Sequence, residues 1–379
     1  MCYDDMKYML DIQTINDLNK AFASQPEGFL VVDSGRPAFA VLPYQAYQNL
    51  KSGEKDSLKK ILVTGGAGYI GSHTVKVLQE EGYEVVVFDN LCTGRREAVN
   101  CKLVMGDLAD REALDKIFEQ EKFDAVMHFA ASVEVEESVH NPAKYFENNV
   151  VNGINLLEAM VKHKVSKLVF SSTAAVYGNP ARLPADETSA CQPTNPYGET
   201  KLMFEHILKW YGSAYGLDSV CLRYFNAAGA WADKGLGYSH NNPSHLIPRV
   251  LDVAIGKNSE IEVFGRDYNT PDGTCIRDYI HVLDLAHAHI LALKKLEKST
   301  GNLIYNVGTG QGSSVLEVID AVMEITGHMV IIKSAERRVG DPEKLVADST
   351  KLQKESGWRP QHGLYDIIGS SWAWHKLQK

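Results

Sequence analysis

The stretch TGGAGYIGS, from Thr64 to Ser72, contains four glycines, three of which are spaced three residues apart, at Gly65, Gly68 and Gly71. The apolar run KKILV precedes it directly, and a helical pattern follows from Ser72. Glycines at such a turn let backbone amides approach a pyrophosphate, which then lies at the positive end of the helix. Glycine spacing alone is weak evidence, but a strand before it and a helix after it together predict a dinucleotide-binding turn.

Apolar runs alternate with helical patterns along most of the chain, in KKILVTG, YEVVVFD, CKLVMGD, FDAVMHFA and KLVFSST. Strict alternation predicts crossover connections and a parallel sheet that helices cover on both faces. The expected fold class is therefore α/β, a doubly wound parallel sheet. From about Ala227 the alternation loosens into Gly- and Pro-rich segments, which we assign to a smaller substrate-binding region. RDYIHVLDLAHAHILALKKL, from Arg277, indicates a further strand and helix that return to the core.

The first fifty residues have a different pattern, and the polar, linker-like stretch KSGEKDS from Lys51 to Ser57 follows them. TINDLNKAF predicts a helix, GFLVVDSGRPAFAVL predicts two strands joined by a turn, and a second helix begins after Pro43. We expect a small α+β extension over residues 1–55, a dinucleotide-binding domain over 56–227, and a substrate region over 228–379 that is partly interleaved with it. The segment Met9–Leu50 resembles the prevent-host-death type antitoxins, in GRPAFAVL and YQAYQNL.

Bulk composition argues against several classes of protein. The 379 residues carry a net charge of -9, which disfavours nucleic-acid backbone binding as the main task. No apolar run approaches the roughly 20 residues of a membrane span, and the N-terminus lacks the pattern of a secretion leader. The six cysteines are scattered, without the paired spacing of zinc or redox motifs. We therefore expect a cytoplasmic protein with reduced thiols and no bound metal.

Carboxylates follow the second and third apolar runs. Asp89 comes 18 residues after the last glycine of the turn, where a carboxylate can accept hydrogen bonds from the adenosine ribose and disfavours a 2′-phosphate. This predicts NAD as cofactor and not NADP, although a turn or cap aspartate would give the same pattern. Asp107 is either a cap or part of the ligand crevice. After the fourth run, Phe129, Ala130 and Ala131 let a cofactor lie against the strand end.

A tyrosine and a lysine stand four residues apart in PYGETK, at Tyr197 and Lys201, and Thr173 lies 24 residues before the tyrosine, in SSTAAVYG. A spacing of four places both side chains on one helix face. A phenol is a poor base at neutral pH, but an ammonium and a cationic nicotinamide stabilise its phenolate. The pattern predicts Tyr197 as general base, Lys201 as the source of positive charge and a ligand of the nicotinamide ribose, and Thr173 as a partner of the reacting hydroxyl. The pair alone would equally suit a solvated helix face.

Six segments resemble, in order, the signatures of the UDP-glucose 4-epimerases of the extended short-chain dehydrogenase family: TGGAGYIGS, SSTAAVYG, PYGETK, LRYFNAAGA, DGTCIRDYIHVLDLA and RRVGDP. The resemblance implies NAD as cofactor, UDP-glucose and UDP-galactose as substrates, UDP-N-acetylhexosamines as further candidate substrates, and a homodimer. It assigns to NAD the residues Tyr69, Ile70, Asp89, Asn90, Asp107, Leu108, Asn149, Lys201 and Phe225. It assigns to the UDP-sugar Asn226, His245, Leu246, Phe264, Arg277, Arg338, Asp341 and Leu345.

These assignments are chemically reasonable, because Arg277 and Arg338 offer guanidinium forks to a diphosphate and Phe264 offers an aromatic face to uracil. Structural roles remain as alternatives, since Arg277 could pair with Asp278 and Phe264 could lie in the core. The sequence departs from the family at Val133, where many members carry a lysine near the nicotinamide.

Two other functions fit the sequence less well than epimerisation. Sugar-nucleotide dehydratases need an acid and a base after the strand-end threonine, but Ala174 and Ala175 stand there. A nucleotide-sensing scaffold with an N-terminal segment that binds DNA or a partner is disfavoured by the complete set of catalytic side chains. The histidines His281, His287 and His289 lack carboxylates at matching spacing, so we expect them to be structural.

Overall fold

A computed structural model describes residues 29–33, 36–41, 60–239, 243–338 and 342–378, the first two ranges as backbone only. The chain divides into two compact units, Met1–Leu58 and Lys59–Lys379. In the first unit, β1 (Phe29–Asp33) and β2 (Arg36–Val41) pair antiparallel, which confirms the two predicted strands. The helices and the linker expected in this unit lie outside the described residues. The antitoxin resemblance and the three-part domain division stay predictions.

The strands of the second unit are β3 (Lys60–Thr64), β4 (Glu84–Asp89), β5 (Lys102–Met105), β6 (Ala125–His128), β7 (Lys167–Ser171), β8 (Asp218–Tyr224), β9 (Asn226–Ala228), β10 (Ile261–Phe264), β11 (Ile276–His281), β12 (Asn302–Val307), β13 (Gly312–Ser314), β14 (Ile332–Ala335) and β15 (Lys344–Leu345). Its α-helices are α1 (Tyr69–Glu80), α2 (Arg111–Gln120), α3 (Val135–His140), α4 (Pro142–Phe146), α5 (Asn152–Lys162), α6 (Pro196–Tyr215), α7 (Leu246–Ala254), α8 (Val282–Leu296), α9 (Val315–Thr326), α10 (Thr350–Ser356) and α11 (Leu364–Leu377). A π-helical segment, Glu147–Val151, links α4 to α5, and short 3₁₀ turns cover Arg96–Ala98, Ala174–Tyr177 and Ala232–Lys234. Among the described residues, no helix has the length and apolar character of a membrane span.

Seven strands form one sheet in the order β5-β4-β3-β6-β7-β8-β12, and all neighbouring pairs are parallel. This confirms the expected doubly wound sheet. The strand order reverses between β3 and β6, so the crevice at the carboxyl ends of these two strands is the place where such sheets bind ligands. The glycine turn follows β3, and therefore lies in this crevice.

Helices cover both faces of the sheet because successive strand residues point to opposite sides. Ile61 and Val63 pack in a core that includes Val75 of α1, and α1 itself packs against α8. Leu62 packs on the other side, in a core that includes Leu114 of α2, and α2 packs against α5. Full burial of each such side chain contributes about 1.5–3 kcal/mol to folding.

The remaining elements form a smaller region beside the sheet. β9 and β15 both pair parallel with β11, β13 pairs antiparallel with it, and β10 pairs parallel with β14. A third core joins α7, α9 and α11. The segment from Arg277 forms a strand and a helix as predicted, but only α8 packs on the large sheet, because β11 joins the smaller one. β8 and β12, which the sequence analysis did not identify as strands, complete the seven-stranded sheet.

Candidate active site

The glycine turn, which joins β3 to α1, packs closely against the residues that follow β6. Gly65 has φ +71°, and a Cβ on it would lie 2.5 Å from the backbone nitrogen of Ala130. A Cβ on Gly71 would lie 2.3 Å from the carbonyl oxygen of Gly65. Neither position can hold a side chain, so the turn keeps a cradle of bare backbone as the sequence predicts.

Gly68 caps α1 at its N-terminus and has no side chain that could satisfy the first N–H groups. The first turn of the helix, formed by Tyr69, Ile70 and Gly71, contains no acidic residue. The N–H groups and the positive end of the helix dipole therefore face an anion site, and the geometry fits the pyrophosphate of a dinucleotide.

Asp89 lies at the end of β4 and is buried, and its carboxylate is held by the backbone on both sides of the crevice. It accepts hydrogen bonds from the N–H of Ala67, at 2.9 Å, and from the N–H of Leu91, at 2.8 Å. Asn90 donates to Asp107 at 2.7 Å and so links the ends of β4 and β5. The structure thus places Asp89 and Asp107 along one edge of the crevice, as expected for an adenosine site.

Asp107 has a local role as well, because its carboxylate accepts from the N–H of Ala109 at 2.9 Å. The two interpretations of Asp107 are therefore compatible, one oxygen closing a turn and the other meeting Asn90. The side chain of Leu108 is buried in the second core, and its carbonyl accepts from Asn155 at 3.0 Å.

Asn149 lies in the π-helical segment and connects the loop after β6 to α6. Its Oδ1 accepts from the N–H of Ser132 at 2.8 Å, and its Nδ2 donates to the Ser132 carbonyl at 3.0 Å and to Thr200 Oγ1 at 3.1 Å. Phe129 and Ala130 donate their N–H groups to the carbonyl of Thr64. Asn149 therefore fixes the loop that borders the crevice. Val133, in the same loop, is 41% exposed and brings no charge to this part of the crevice.

The start of α6 places the tyrosine against the Thr173 turn. Asn195 caps the helix by accepting from the N–H of Gly198 at 2.9 Å, and Pro196 occupies the first turn. A Cβ on Gly198 would lie 2.7 Å from the carbonyl oxygen of Ala175, so glycine lets the helix approach the turn closely. Thr173 itself caps that turn, accepting from the N–H of Ala175 at 3.1 Å.

Tyr197 and Lys201 are 7% and 3% exposed, so their spacing marks a buried helix face and not a solvated one. The ammonium of Lys201 donates to the carbonyl of Ser171 at 2.9 Å and lies over the ring of Phe170 at 4.9 Å. Burial lowers the pKa of Lys201 to about 7. Burial raises the pKa of Tyr197 well above its ordinary range, and a hydrogen bond with Thr173 partly opposes that rise.

His128, at the end of β6, is a further buried group near Lys201. Its Nδ1 lies 2.7 Å from Thr64 Oγ1, and burial together with the Lys201 charge lowers the pKa of His128 to about 3. This histidine is therefore neutral at physiological pH and leaves Lys201 as the cationic group beside the tyrosine.

Phe225 and Asn226 lie where β8 ends and β9 begins. Phe225 is buried and donates its N–H to the carbonyl of Val307 at 3.1 Å. Asn226 donates its side-chain amide to the carbonyl of Asp278 at 2.9 Å. The first bond lies at the end of the large sheet, beside β12, and the second lies within the smaller sheet, between β9 and β11.

Arg338 and Phe264 come together, with the guanidinium 4.0 Å from the ring centroid. Phe264 is half-buried at the end of β10, outside the hydrophobic cores, which disfavours the alternative that it is a core residue. Arg277 donates to the carbonyl of Ile276 at 3.0 Å. The Asp278 carboxylate instead accepts from the N–H groups of the loop at residues 309–310, which favours a structural role for it.

His245 and Leu246 begin α7, and His245 Nδ1 lies 3.2 Å from the hydroxyl of Tyr238. Leu345 lies beside Arg277 in the parallel pair β11–β15 and packs in a fourth core with residues that include Ala174 and Phe225. It therefore borders the same turn as Thr173. Asp341 lies outside the described residues.

The last helix, α11, contacts the loop that covers α1 and holds it in place. The indole N–H of Trp374 donates to the carbonyl of Tyr238 at 2.8 Å, and a Cβ on Gly237 would lie 2.3 Å from the Trp374 ring. Tyr69, in the first turn of α1, donates its hydroxyl to the carbonyl of Gly229 at 2.6 Å. The chain between Gly229 and Tyr238 is thus fastened at both ends over the dinucleotide turn.

The structure also shows contacts that the sequence analysis missed. Glu205, one helical turn beyond Lys201, forms a buried ion pair with Arg223. The spacing of four between Lys201 and Glu205 is visible in the sequence. The ion-pair partner, Arg223, lies on β8, and no local sequence pattern links it to Glu205. His281 caps α8 by accepting from the N–H of Leu283, and buried His289 has its Nδ1 2.8 Å from the carbonyl of Leu285. Within the described ranges, His, Cys, Asp and Glu side chains form no group of three or more suited to a metal.

Comparison with known proteins gives a consistent result. The model of the NAD dependent epimerase/dehydratase family matches residues 61–308. A UDP-glucose 4-epimerase of Halalkalibacterium halodurans is 50% identical over 318 residues, which cover 83% of this chain and 95% of that protein. The crystal structure of UDP-glucose 4-epimerase from Brucella ovis in complex with NAD is 47% identical, with a TM-score of 0.81, over 83% of this chain and 97% of that one. The UDP-Glc/GlcNAc 4-epimerase of Campylobacter jejuni is 43% identical, with a TM-score of 0.74, over 84% and 99%.

Proposed function

The chain belongs to the NAD dependent epimerase/dehydratase family, and from this membership and the geometry of the site we propose that it interconverts UDP-glucose and UDP-galactose by inverting carbon 4. It is an NAD-dependent epimerase, an isomerase with no net redox change. The observation that carries the proposal is the buried pair Tyr197 and Lys201 beside Thr173, at the carboxyl end of β7, in the same crevice as the dinucleotide turn.

Each catalytic side chain has a defined task. When bound, NAD supplies a hydride acceptor for carbon 4 and a positive charge near the phenol. Tyr197 takes the proton of the 4-hydroxyl and returns it after the 4-keto sugar has turned its other face. Lys201 stabilises the phenolate by its charge and holds the nicotinamide ribose. Thr173 donates to the reacting oxygen and keeps the hydroxyl aligned with the phenol.

The small residues after Thr173 separate this reaction from dehydration. Ala174 and Ala175 form the 3₁₀ turn at the positions where elimination would need an acid and a base. Two methyl groups cannot transfer protons, whereas a 4-epimerase needs one base and a reversible hydride acceptor. The site therefore favours epimerisation over loss of water.

The proposed binding residues follow the two halves of the crevice. Residues proposed to contact NAD are Gly65, Gly68, Tyr69, Ile70, Gly71, Asp89, Asn90, Asp107, Leu108, Phe129, Ala130, Ala131, Asn149, Lys201 and Phe225. Residues proposed to contact the UDP-sugar are Thr173, Tyr197, Asn226, His245, Leu246, Phe264, Arg277, Arg338, Asp341 and Leu345. UDP-N-acetylhexosamines are further candidate substrates, a proposal that the activity named for the Campylobacter jejuni relative supports.

Turnover of UDP-galactose to UDP-glucose without added oxidant tests the proposed function. We expect conversion in both directions to one equilibrium mixture, with no accumulation of NADH at 340 nm. Release of NADH in proportion to product would show a net dehydrogenase. The control is the same assay with UDP-glucuronate, which a decarboxylating relative would consume.

A homodimer in the cytoplasm completes the proposal. Exposed apolar side chains lie on α3, on the π-helical segment and on α6, which contacts both of them: Val135, Val139, Val151, Trp210 and Tyr215. Trp210 is 71% exposed, and such a group of side chains is typical of a contact surface. Sedimentation equilibrium should give twice the mass of the chain, and a single-chain mass would contradict the dimer. The cytoplasmic location rests on the sequence, in which the six cysteines are scattered without the paired spacing of zinc or redox motifs.

A further inference from the structure

We propose that Glu205, paired with Arg223, is a positioning residue that fixes the strand end around Thr173 and sets the charge environment of Lys201. The inference rests on the proposed function of the site, because it concerns how the reacting groups are held. Neither side chain reaches the crevice, so any effect must act through Ser172, Tyr177 and Lys201.

The first contact is with the residue before Thr173. Ser172 donates its hydroxyl to Glu205 Oε1 at 2.5 Å. The Arg223 guanidinium meets both oxygens of the carboxylate, with Nη2 2.5 Å from Oε2 and Nε 3.0 Å from Oε1. The side chains of Arg223 and Glu205 are 4% and 2% exposed. A buried carboxylate with three donors is held rigidly, and it holds Ser172 in turn.

The second contact is with the turn after Thr173. Arg223 Nη1 donates to the hydroxyl of Tyr177 at 3.1 Å, and that hydroxyl donates to Asn306 Oδ1 at 2.6 Å. Tyr177 ends the 3₁₀ turn that Thr173 begins. The pair therefore fastens the chain on both sides of Thr173, at Ser172 and at Tyr177.

The third contact is electrostatic and acts on Lys201. Glu205 follows Lys201 by one helical turn, so their side chains lie on one face of α6. Burial lowers the pKa of Lys201 to about 7, and the negative charge of Glu205 opposes that shift. While both side chains are present, the positive charge of Arg223 offsets the negative charge of Glu205. Loss of Glu205 alone therefore leaves an uncompensated positive charge near Lys201. The other titratable or charged groups around Lys201 and Tyr197 are His128 of β6, Tyr224 of β8, Tyr145 of α4 and Glu134 before α3.

Two variants separate this role from simple stability. Glu205→Gln leaves Arg223 as an unpaired buried cation, and Glu205→Gln with Arg223→Met removes both charges, an exchange that buried pairs often tolerate. In the single variant the ammonium of Lys201 is disfavoured, so its pKa falls and the alkaline limb of the kcat profile moves to lower pH, by about one unit. In the double variant the limb returns towards the parent position. We expect kcat to fall about tenfold in the single variant, because Thr173 loses its fixed orientation. KM should change little.

The pKa of Lys201 is read independently by ¹³C NMR of lysine-labelled, NAD-loaded protein, with the signal assigned by its loss in Lys201→Gln. The control is Glu158→Gln, which removes an exposed carboxylate bonded to Tyr211 on the outer side of α6 and should leave the titration unchanged. An unshifted Lys201 titration in Glu205→Gln, or a shift in the double variant as large as in the single variant, would overturn the inference. A parent protein with the expected titration cycle but no UDP-galactose turnover would contradict the proposed function and leave this inference standing.

Discussion

At the scale of single residues, the most specific prediction concerns Tyr197. Tyr197→Phe removes the proton acceptor and leaves the ring, which lies in a buried site. We expect turnover of UDP-galactose to fall by roughly a hundredfold or more, the effect of losing a general base. Bound NAD, measured by absorbance after denaturation, and the midpoint of thermal unfolding should stay at parent values. Tyr211→Phe, on the outer side of the same helix, is the matched control. Near-parent turnover in Tyr197→Phe would remove this residue from the mechanism.

A second prediction concerns Leu345 and the width of the sugar-binding site. Its side chain is buried against Ala174 and Phe225, and it offers neither the ring nor the hydroxyl of a tyrosine. We expect the parent to epimerise UDP-N-acetylglucosamine, more slowly than UDP-glucose. Leu345→Tyr should suppress the N-acetyl reaction selectively, since pocket differences of this size change discrimination by about 1–3 kcal/mol.

The measurement for Leu345 is kcat/KM for both substrates in both proteins, with thermal unfolding as the check on packing. Leu345→Met, which conserves volume, is the control and should keep the parent preference. Equal loss of both activities in Leu345→Tyr, or no N-acetyl turnover in the parent, would show that Leu345 does not set the width of the site.

At the scale of elements, the strands and helix α6 could be predicted because the sequence patterns that indicate them are local. An apolar run of five residues and a spacing of four are each set by a few neighbouring positions, and the structure places β3, α1 and α6 where these patterns predict. The glycine turn was readable for the same reason, since Gly65 and Gly71 meet backbone from nearby in the chain or from the adjacent strand end.

Contacts between distant elements were not predictable from these patterns. Tyr177 and Asn306 are 129 positions apart, and Glu205 and Arg223 lie on a helix and a strand that meet only in the folded sheet. The strand β12 was missed because it follows the irregular segments beyond Ala227, where strands and helices no longer alternate regularly, although α8 directly precedes it. Resemblance to a family supplied the proposed substrate residues, which no periodicity could have supplied.

At the scale of the whole molecule, the separation into two units predicts the effect of truncation. The family model begins at residue 61, within the second unit, and the crevice is built from residues of that unit. A chain that begins at Asp56 should retain NAD and nearly all of the epimerase activity. A chain that begins at Tyr69, which lacks β3 and the glycine turn, is the control and should lose NAD binding. A folded but inactive protein from the first truncation would mean that the extension contributes to the site.

Buried histidines make the stability of the second unit depend on pH. Burial lowers the pKa of four of them to about 3 or 4: His73, His128, His281 and His289. The unfolded chain binds protons at these histidines near pH 6.5, whereas the folded chain does not. The free energy of unfolding is therefore undiminished by these histidines above pH 6.5 and falls as the pH is lowered towards 4. The slope is roughly 1.4 kcal/mol per pH unit for each histidine.

Urea unfolding at pH 7 and pH 5 measures this dependence. His128→Asn should reduce the loss of unfolding free energy between the two values, because one buried proton acceptor is gone. His206→Gln, at an exposed position on α6, is the control and should leave the loss unchanged. An identical loss in the parent and in His128→Asn would exclude His128 as a source of the acid sensitivity.

The brace that Trp374 places on Tyr238 has a consequence for synthesis on the ribosome. The glycine turn leaves the exit tunnel before the parts of the second unit that follow it, and the indole that fastens the loop over it belongs to α11, which follows every other described helix and strand. A nascent chain therefore carries its dinucleotide turn without this brace until α11 has left the tunnel. Stable cofactor capture should accordingly wait for the synthesis of α11, and a bulky tag inserted directly after this helix should slow it more than the same tag placed before β1.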